Sequence, residues 1–239
     1  MSNLYLVRHG QAGTRDAYDS LSDLGLRQSQ LLGQYFQAQE IPFAASYRGD
    51  LCRQQHTALE LSAAYGGGFP EVVADPGWNE FDLDRMYREI GPPLFAANQE
   101  LRRQYQDMRQ QVRAEDGNHS APVHRRWMPC DTAIVNAWIR REHPYAGESW
   151  EQFRQRVANC LQRIGSAARN ENVIVFTSAT PIAIGAGLAL DITDERVMKL
   201  AGVLYNTSFT VIQIRDDRLR LFSLNAVPHL VSRDLRTFR

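Results

Sequence analysis

The 239 residues carry 44 % hydrophobic and 23 % charged side chains, a globular mixture that excludes a disordered or low-complexity chain, and no fixed period marks a repeat array. A chain of this length buries roughly 70 % of its unfolded surface without needing staples. Its 27 basic residues balance 27 acidic ones, so it offers no overall attraction to nucleic acid or an anionic membrane, and any anion site must be local.

Lys199 is the only lysine, a bias read as compositional and not as functional. Cys52, Cys130 and Cys160 are odd in number and lack a CxxC pair, which predicts reduced, buried thiols and neither a disulfide framework nor a zinc site. No basic leader with a long apolar core opens the chain, and no run nears the ~20 apolar residues of a membrane span. The expected location is cytoplasmic.

In chain order, "LYLV" (4–7) is a short apolar run halted by Gly10 and predicts a fully buried strand. Ser22 can cap a helix through "SDLGLRQSQLLGQYFQAQ", where Leu24, Leu31, Leu32, Tyr35 and Phe36 recur at helical spacing. A strand at about 43–46, a helix at about 51–65 stopped by Gly66-Gly67-Gly68, and a strand near Val72-Val73 complete a βαβαβ alternation, which implies a parallel sheet. From 82 to 144 the text turns arginine- and glutamine-rich and helical, and reads as an insertion over one end of the sheet. Ser149 and Gln152 then form a capping box for the helix of "WEQFRQRVANCLQRIGSAA". "NVIVFTS" is the fourth strand and "TPIAIGAGLAL" a buried helix with Pro181 near its first turn. Strands at about 209–214 and 219–224 flank Asp216-Asp217 and predict an antiparallel hairpin at the sheet's edge.

Ligands of open α/β sheets sit where strands end and helices begin. The first strand delivers Arg8, His9 and Gly10 to such a junction, where a buried guanidinium needs an anion. Phosphate would satisfy it, and a neutral histidine beside it can attack phosphorus and carry the phosphoryl group.

"LYLVRHGQA" resembles the signature of the histidine phosphatase superfamily, the phosphoglycerate-mutase-like fold, and further blocks follow in the family's order. "LSDLGLRQSQLLGQYF" is similar to its L-[ST]-x-x-G-x-x-Q-A helix, "LCRQQHTAL" to its L-x-R-A-x-Q-T-A segment, and "WNEFD" to its L-x-E block; "PYAGESW" and "FSLNAVPHL" also resemble family text. The resemblance runs from residue 4 to 230 and skips only the insertion. It implies a three-layer α/β fold, a mostly parallel mixed sheet with helices on both faces, forming a single domain over 1–239 with a helical cap insertion at 82–144. It also implies His9 as nucleophile, Arg8 and Arg53 as phosphate-binding residues and Glu80 as the proton donor, with no metal and no cofactor. Asp82 and Asp84 lie close enough in sequence to compete with Glu80 for that role.

Two blocks depart from the pattern. Where the family carries a second histidine in [ST]-H-G-G, this chain reads "VFTSATPI", with Ser178 in the histidine's place and Ala179 in the glycine's. A serine hydroxyl at a helix start can still contact a phosphate oxygen or can simply cap the helix. The family's asparagine shortly after Arg-His-Gly is also missing, leaving Gln11, Thr14 or Arg15 to contact phosphate.

The expected function is therefore a metal-independent phosphomonoester hydrolase working through phosphohistidine on His9, weakened by Ser178. A phosphate-binding pseudophosphatase is the alternative, and a phosphoglycerate mutase ranks below both. The partner is a phosphorylated small molecule or inorganic phosphate; nothing fixes the oligomeric state. His56 is expected to be scaffold and His229 a buried hydrogen-bonding residue. Arg102, Arg103, Arg109, Arg113, Arg125 and Arg126 read as a solvated helix face, and His119 and His124 are too isolated to hold a metal.

Overall fold

The structure is a computed structural model that describes residues 2–13, 19–115, 129–167, 170–215 and 218–238. Strand β1 (Ser2–Arg8) is central because its residues are apolar on both faces. Leu4 and Leu6 join one buried cluster, Val7 the other. Two faces this apolar must both be covered, as in parallel sheets with helices on each side.

Helix α1 (Asp23–Ala38) begins at Ser22, whose Oγ accepts from the Gly25 N–H at 3.0 Å. Strand β2 (Ala45–Arg48) lies two residues beyond the expected span, since Phe43 packs with Tyr5 and Phe36 ahead of the strand and so supplied its apolar signal early. Helix α2 (Cys52–Tyr65), strand β3 (Val72–Ala74) and a short helical turn at Pro76–Trp78 follow.

The stretch expected as an insertion holds helices α3 (Leu83–Glu89), α4 (Gly91–Ala97), α5 (Gln99–Glu115) and α6 (Pro129–Ile139). Its Met86, Ile90, Phe95, Ile134 and Trp138 belong to the same apolar cluster as Leu4 and Leu6 of β1, so it packs onto the sheet's own core. Helix α7 (Trp150–Ala167) starts with the expected reciprocal bonds, Ser149 N–H to Gln152 Oε1 and Gln152 N–H to Ser149 Oγ. Strand β4 (Asn172–Thr177) leads into helix α8 (Ala179–Leu190). Helix α9 (Asp194–Ala201), unpredicted because it is short and flanks a polar stretch, buries Val197 beneath α8, where it meets Gly187.

Strands β5 (Phe209–Arg215) and β6 (Arg218–Ala226) close the six-stranded order β3-β2-β4-β1-β5-β6. β1, β2, β3 and β4 run parallel, while β5 and β6 add an antiparallel edge. The connection at 216–217 lies outside the described residues. One face carries α1 and α2 on Val7, Ile174 and Phe176; the other carries α7 and α8 on Leu6, Val173 and Val175. The three-layer mixed α/β fold is the expected one.

Cys130 and Cys160 are buried, but Cys52 is exposed, because it opens α2 on the solvent side while its neighbours Arg53 and Gln54 face inward. Among the described residues no helix is long and apolar enough to cross a membrane.

Candidate active site

Past Val7, β1 becomes polar just where the sheet ends. The His9 N–H still donates to the Thr177 carbonyl at 2.9 Å, and the register pairs Arg8 with Thr177. Gly10 then lets the chain pass against the start of α1: a Cβ there would sit 2.5 Å from the Gly25 carbonyl oxygen, and one on Gly25 would sit 2.2 Å from that of Gln11. Side chains saturate this contact. Thr57 Oγ1 accepts from Gly10 N–H and Gln28 Oε1 from Gln11 N–H, each at 2.9 Å. From the other side Asn206 Nδ2 donates to the His9 carbonyl at 3.1 Å, and Thr207, at φ 54° despite its branched Cβ, donates its N–H to the Arg8 carbonyl at 3.1 Å. A β-branched residue in the left-handed region persists only where its surroundings hold it.

These contacts fix the imidazole of His9. Its Nδ1 is 2.8 Å from the Gly10 carbonyl oxygen, which can only accept, and its Nε2 is 3.2 Å from Arg53 Nε, which can only donate. The proton is therefore on Nδ1 and the lone pair on Nε2. Arg53 is buried on the first turn of α2 and its Nη1 reaches Asp19 Oδ1 at 2.7 Å; Asp19 Oδ2 also takes the Cys52 N–H at 2.8 Å. Arg8, equally buried, donates from Nη1 to the Leu204 carbonyl. One guanidinium, that of Arg53, thus meets the His9 Nε2 at the end of a parallel strand, and a second, that of Arg8, is buried on the adjacent residue.

Glu80 follows the Pro76–Trp78 turn. Its Oε2 accepts from the Thr180 N–H and its Oε1 from the Phe81 N–H, each at 3.1 Å, which joins it to the start of α8. Burial pushes its carboxyl above the usual range, and the two amide donors and the charge of Arg53 only partly oppose that rise. Inside, Thr177 Oγ1 and Gln54 Nε2 donate to the Trp78 carbonyl at 2.6 and 3.3 Å. Outside, Arg156 Nη1 donates to the Gly77 and Asn79 carbonyls at 2.7 and 3.2 Å while its other nitrogens grip both Glu148 oxygens at 2.8 Å. The turn that precedes Glu80 is held from both sides.

Ser178 is buried between β4 and α8, and its Oγ is 2.9 Å from Gln54 Nε2. Gln11 is also buried, with Oε1 accepting from Ser22 Oγ at 2.7 Å, a contact that ties the strand end to the cap of α1. Asp82 caps α3 through the Arg85 N–H, so its carboxylate is engaged away from the turn.

The profile of the histidine phosphatase superfamily, branch 1, matches residues 4–138 and 131–227. The chain belongs to that superfamily. A metal-independent phosphoserine phosphatase of Arabidopsis thaliana is 26 % identical over 97 % of this chain and 84 % of its own length. The same fold occurs in YhfR of Bacillus stearothermophilus, with TM-score 0.66 and 19 % identity over 96 % of this chain and all of that one. A phosphoserine phosphatase variant from Entamoeba histolytica in complex with phosphoserine shares it too, with TM-score 0.63 and 18 % identity over 97 % of this chain and 100 % of that one. This histidine phosphatase therefore has the fold and the enzyme class that its sequence blocks imply.

Of the residues picked from sequence, Arg8, His9, Arg53, Glu80 and Ser178 converge on the ends of β1 and β4. Thr14 and Arg15 lie outside the described residues, as do His119, His124, Arg125 and Arg126; the side chain of Arg113 is also undescribed. Arg102, Arg103 and Arg109 are exposed. Arg102 and Arg109 line a cavity of about 690 Å³ with Phe95, Tyr105, Gln106 and Gln110, to which no candidate catalytic residue contributes. His56 is half-buried and His229 buried, its Nε2 3.0 Å from Thr207 Oγ1. Asp19, Gln54, Thr57 and Arg156 escaped the sequence reading, because each acts through contacts across long sequence separations.

Proposed function

We propose that this histidine phosphatase is a metal-independent phosphomonoesterase that takes the phosphoryl group onto Nε2 of His9. The observation carrying this reading is the imidazole's fixed tautomer, with an unprotonated Nε2 beside the Arg53 guanidinium. The Nε2 lone pair forms the N–P bond as the P–O bond to the leaving alkoxide breaks, and the proton of Glu80 goes to that oxygen. Water then attacks phosphorus and gives a proton to the Glu80 carboxylate, the N–P bond breaks with its electrons returning to Nε2, and phosphate leaves. The raised pKa of Glu80 keeps the acid form available for the first step. Arg8 and Arg53 carry the charge on the equatorial oxygens, a task of preorganised donors in a water-poor site. Arg53 must exchange its contact with Nε2 for phosphate, and Asp19 keeps its far end in place.

The substrate class is a small phosphomonoester, supported by the phosphoserine bound to the Entamoeba histolytica relative, and the helices between Leu83 and Ile139 act as a cap that selects it. Steady-state hydrolysis of p-nitrophenyl phosphate, without added metal, tests the reading. Turnover that disappears in His9→Ala is expected, and unchanged turnover in that variant overturns the proposal.

A further inference from the structure

We infer that Gln54 and Ser178 act as one unit, in which Gln54 fixes the serine oxygen as an acceptor and so delivers the serine's proton to a phosphate oxygen. The inference rests on the phosphohistidine reading above. Gln54 Nε2 contacts both Ser178 Oγ at 2.9 Å and the Trp78 carbonyl at 3.3 Å. A carbonyl only accepts, so the amide atom is the nitrogen, and Ser178 Oγ accepts from it. The hydroxyl proton must then go elsewhere. The usual donors to the oxygen of a helix-capping serine are taken or missing, which leaves that oxygen to Gln54 Nε2: the Thr180 N–H is bound by Glu80, Pro181 has none, and Ser178 makes no side-chain cap bond although it is the first residue before α8. Ser178 is only 1 % exposed, so an unused donor there is costly unless a ligand accepts it.

Position supplies the ligand. Arg8 is paired with Thr177, and the His9 N–H bonds to the Thr177 carbonyl, so Ser178 leaves the sheet beside the proposed nucleophile. The two residues also answer one another in size. In the blocks quoted above, Gln54 stands where the L-x-R-A-x-Q-T-A pattern has alanine, and Ser178 where [ST]-H-G-G has histidine. A large side chain replaces a small one on α2 at the point where a small one replaces a large one after β4, and the two are in contact. Gln54 is fully buried and its Oε1 lies against Gly49, where a Cβ would come within 2.1 Å, so the amide cannot easily swing away. Gln54 is thus a positioning residue and Ser178 the phosphate-contacting donor; together they occupy the space and supply the hydrogen bond of a missing imidazole.

A mutant cycle on p-nitrophenyl phosphate tests this. Ser178→Ala and Gln54→Met, the latter keeping length but losing the donor, should each lower kcat by about a hundredfold, with a much smaller change in KM. The double variant should be no slower than the slower single one, since residues acting as a unit are non-additive. Ser178→His alone should be slower than wild type because the imidazole meets Gln54, and Gln54→Ala/Ser178→His should recover activity. Losses that multiply, or a Gln54→Met enzyme at wild-type kcat, overturn the pairing. If Gln54→Met fails to fold, the Gln54→Ala/Ser178→His variant decides: activity no higher than Ser178→His overturns the inference. His9→Ala separates the two layers, since turnover in that variant defeats the phosphohistidine reading itself, whereas a silent His9→Ala with wild-type pair variants defeats only the pairing.

Discussion

Gly25→Ala pits helix propensity against a backbone contact. Replacing glycine by alanine inside a helix stabilises by about 1 kcal/mol, and Gly25 lies in the first turn of α1 with no positive φ to protect. Against that, the new Cβ would stand 2.2 Å from the Gln11 carbonyl oxygen and 2.9 Å from its nitrogen, where ordinary contacts begin at 3.4 Å. Both neighbours are backbone, so the end of β1 and the start of α1 must part by about 1 Å, a displacement that typically costs 1–3 kcal/mol as overpacking. The same movement stretches the Ser22 N–H bond to the Gln11 carbonyl at 3.0 Å and the Gln11 N–H bond to Gln28 at 2.9 Å, each contributing about 1 kcal/mol. The net expectation is destabilisation by about 2 kcal/mol, a fall in Tm of roughly 4–8 °C for a chain of this size. Because His9 shares that strand end, kcat should fall by up to about a hundredfold as well. Thermal unfolding and p-nitrophenyl phosphate turnover on the same sample measure both; a Tm that rises would show that propensity wins and that the contact is not tight.

Other perturbations follow from the same geometry. Glu80→Gln should lower kcat about 10²–10⁴-fold with poor leaving groups and much less with p-nitrophenol; burial raises the Glu80 carboxyl, so the wild-type rate should decline as pH climbs through that raised value, a limb absent from the variant. An equal loss for both leaving groups would remove Glu80 as proton donor. Arg156→Ala frees the carbonyls of Gly77 and Asn79, and should reduce kcat by about tenfold with KM little changed; a change confined to KM would contradict a role in holding Glu80. His229 is held neutral by desolvation, its pKa lowered from 6.5 to about 3. The unfolded chain therefore takes up a proton first as pH falls, and stability present above pH 6.5 is lost progressively toward pH 3, reaching about 3 kcal/mol by pH 4. Denaturant melts at several pH values should show a flatter profile for His229→Gln, and an identical slope would mean that the imidazole charges in the folded state.

The fold was legible because buried strands announce themselves: Leu4–Val7 and Val173–Phe176 are continuous apolar runs, and the helices between them carry caps at Ser22 and Ser149 that form as read. Where the reading slipped, tertiary packing displaced a local signal. Phe43 is apolar for the α1 face and not for a strand, and Cys52 is turned outward by the helix phase that turns Arg53 in. The candidate site was legible where chemistry is carried by rare residues at a strand end, as at Arg8 and His9. Supporting residues were not, because a glutamine such as Gln54 has no local signature and acquires meaning only through Ser178, 124 positions away in the chain.

The most direct measurement is rapid acid-free quenching of the enzyme during turnover of a phosphomonoester, followed by peptide mass spectrometry of the segment around His9. One phosphoryl group is expected on His9, lost on exposure to acid as an N–P bond is, and absent from His9→Ala. Phosphate release at full rate with the label on another residue, or with none under conditions that stabilise N–P bonds, would contradict it.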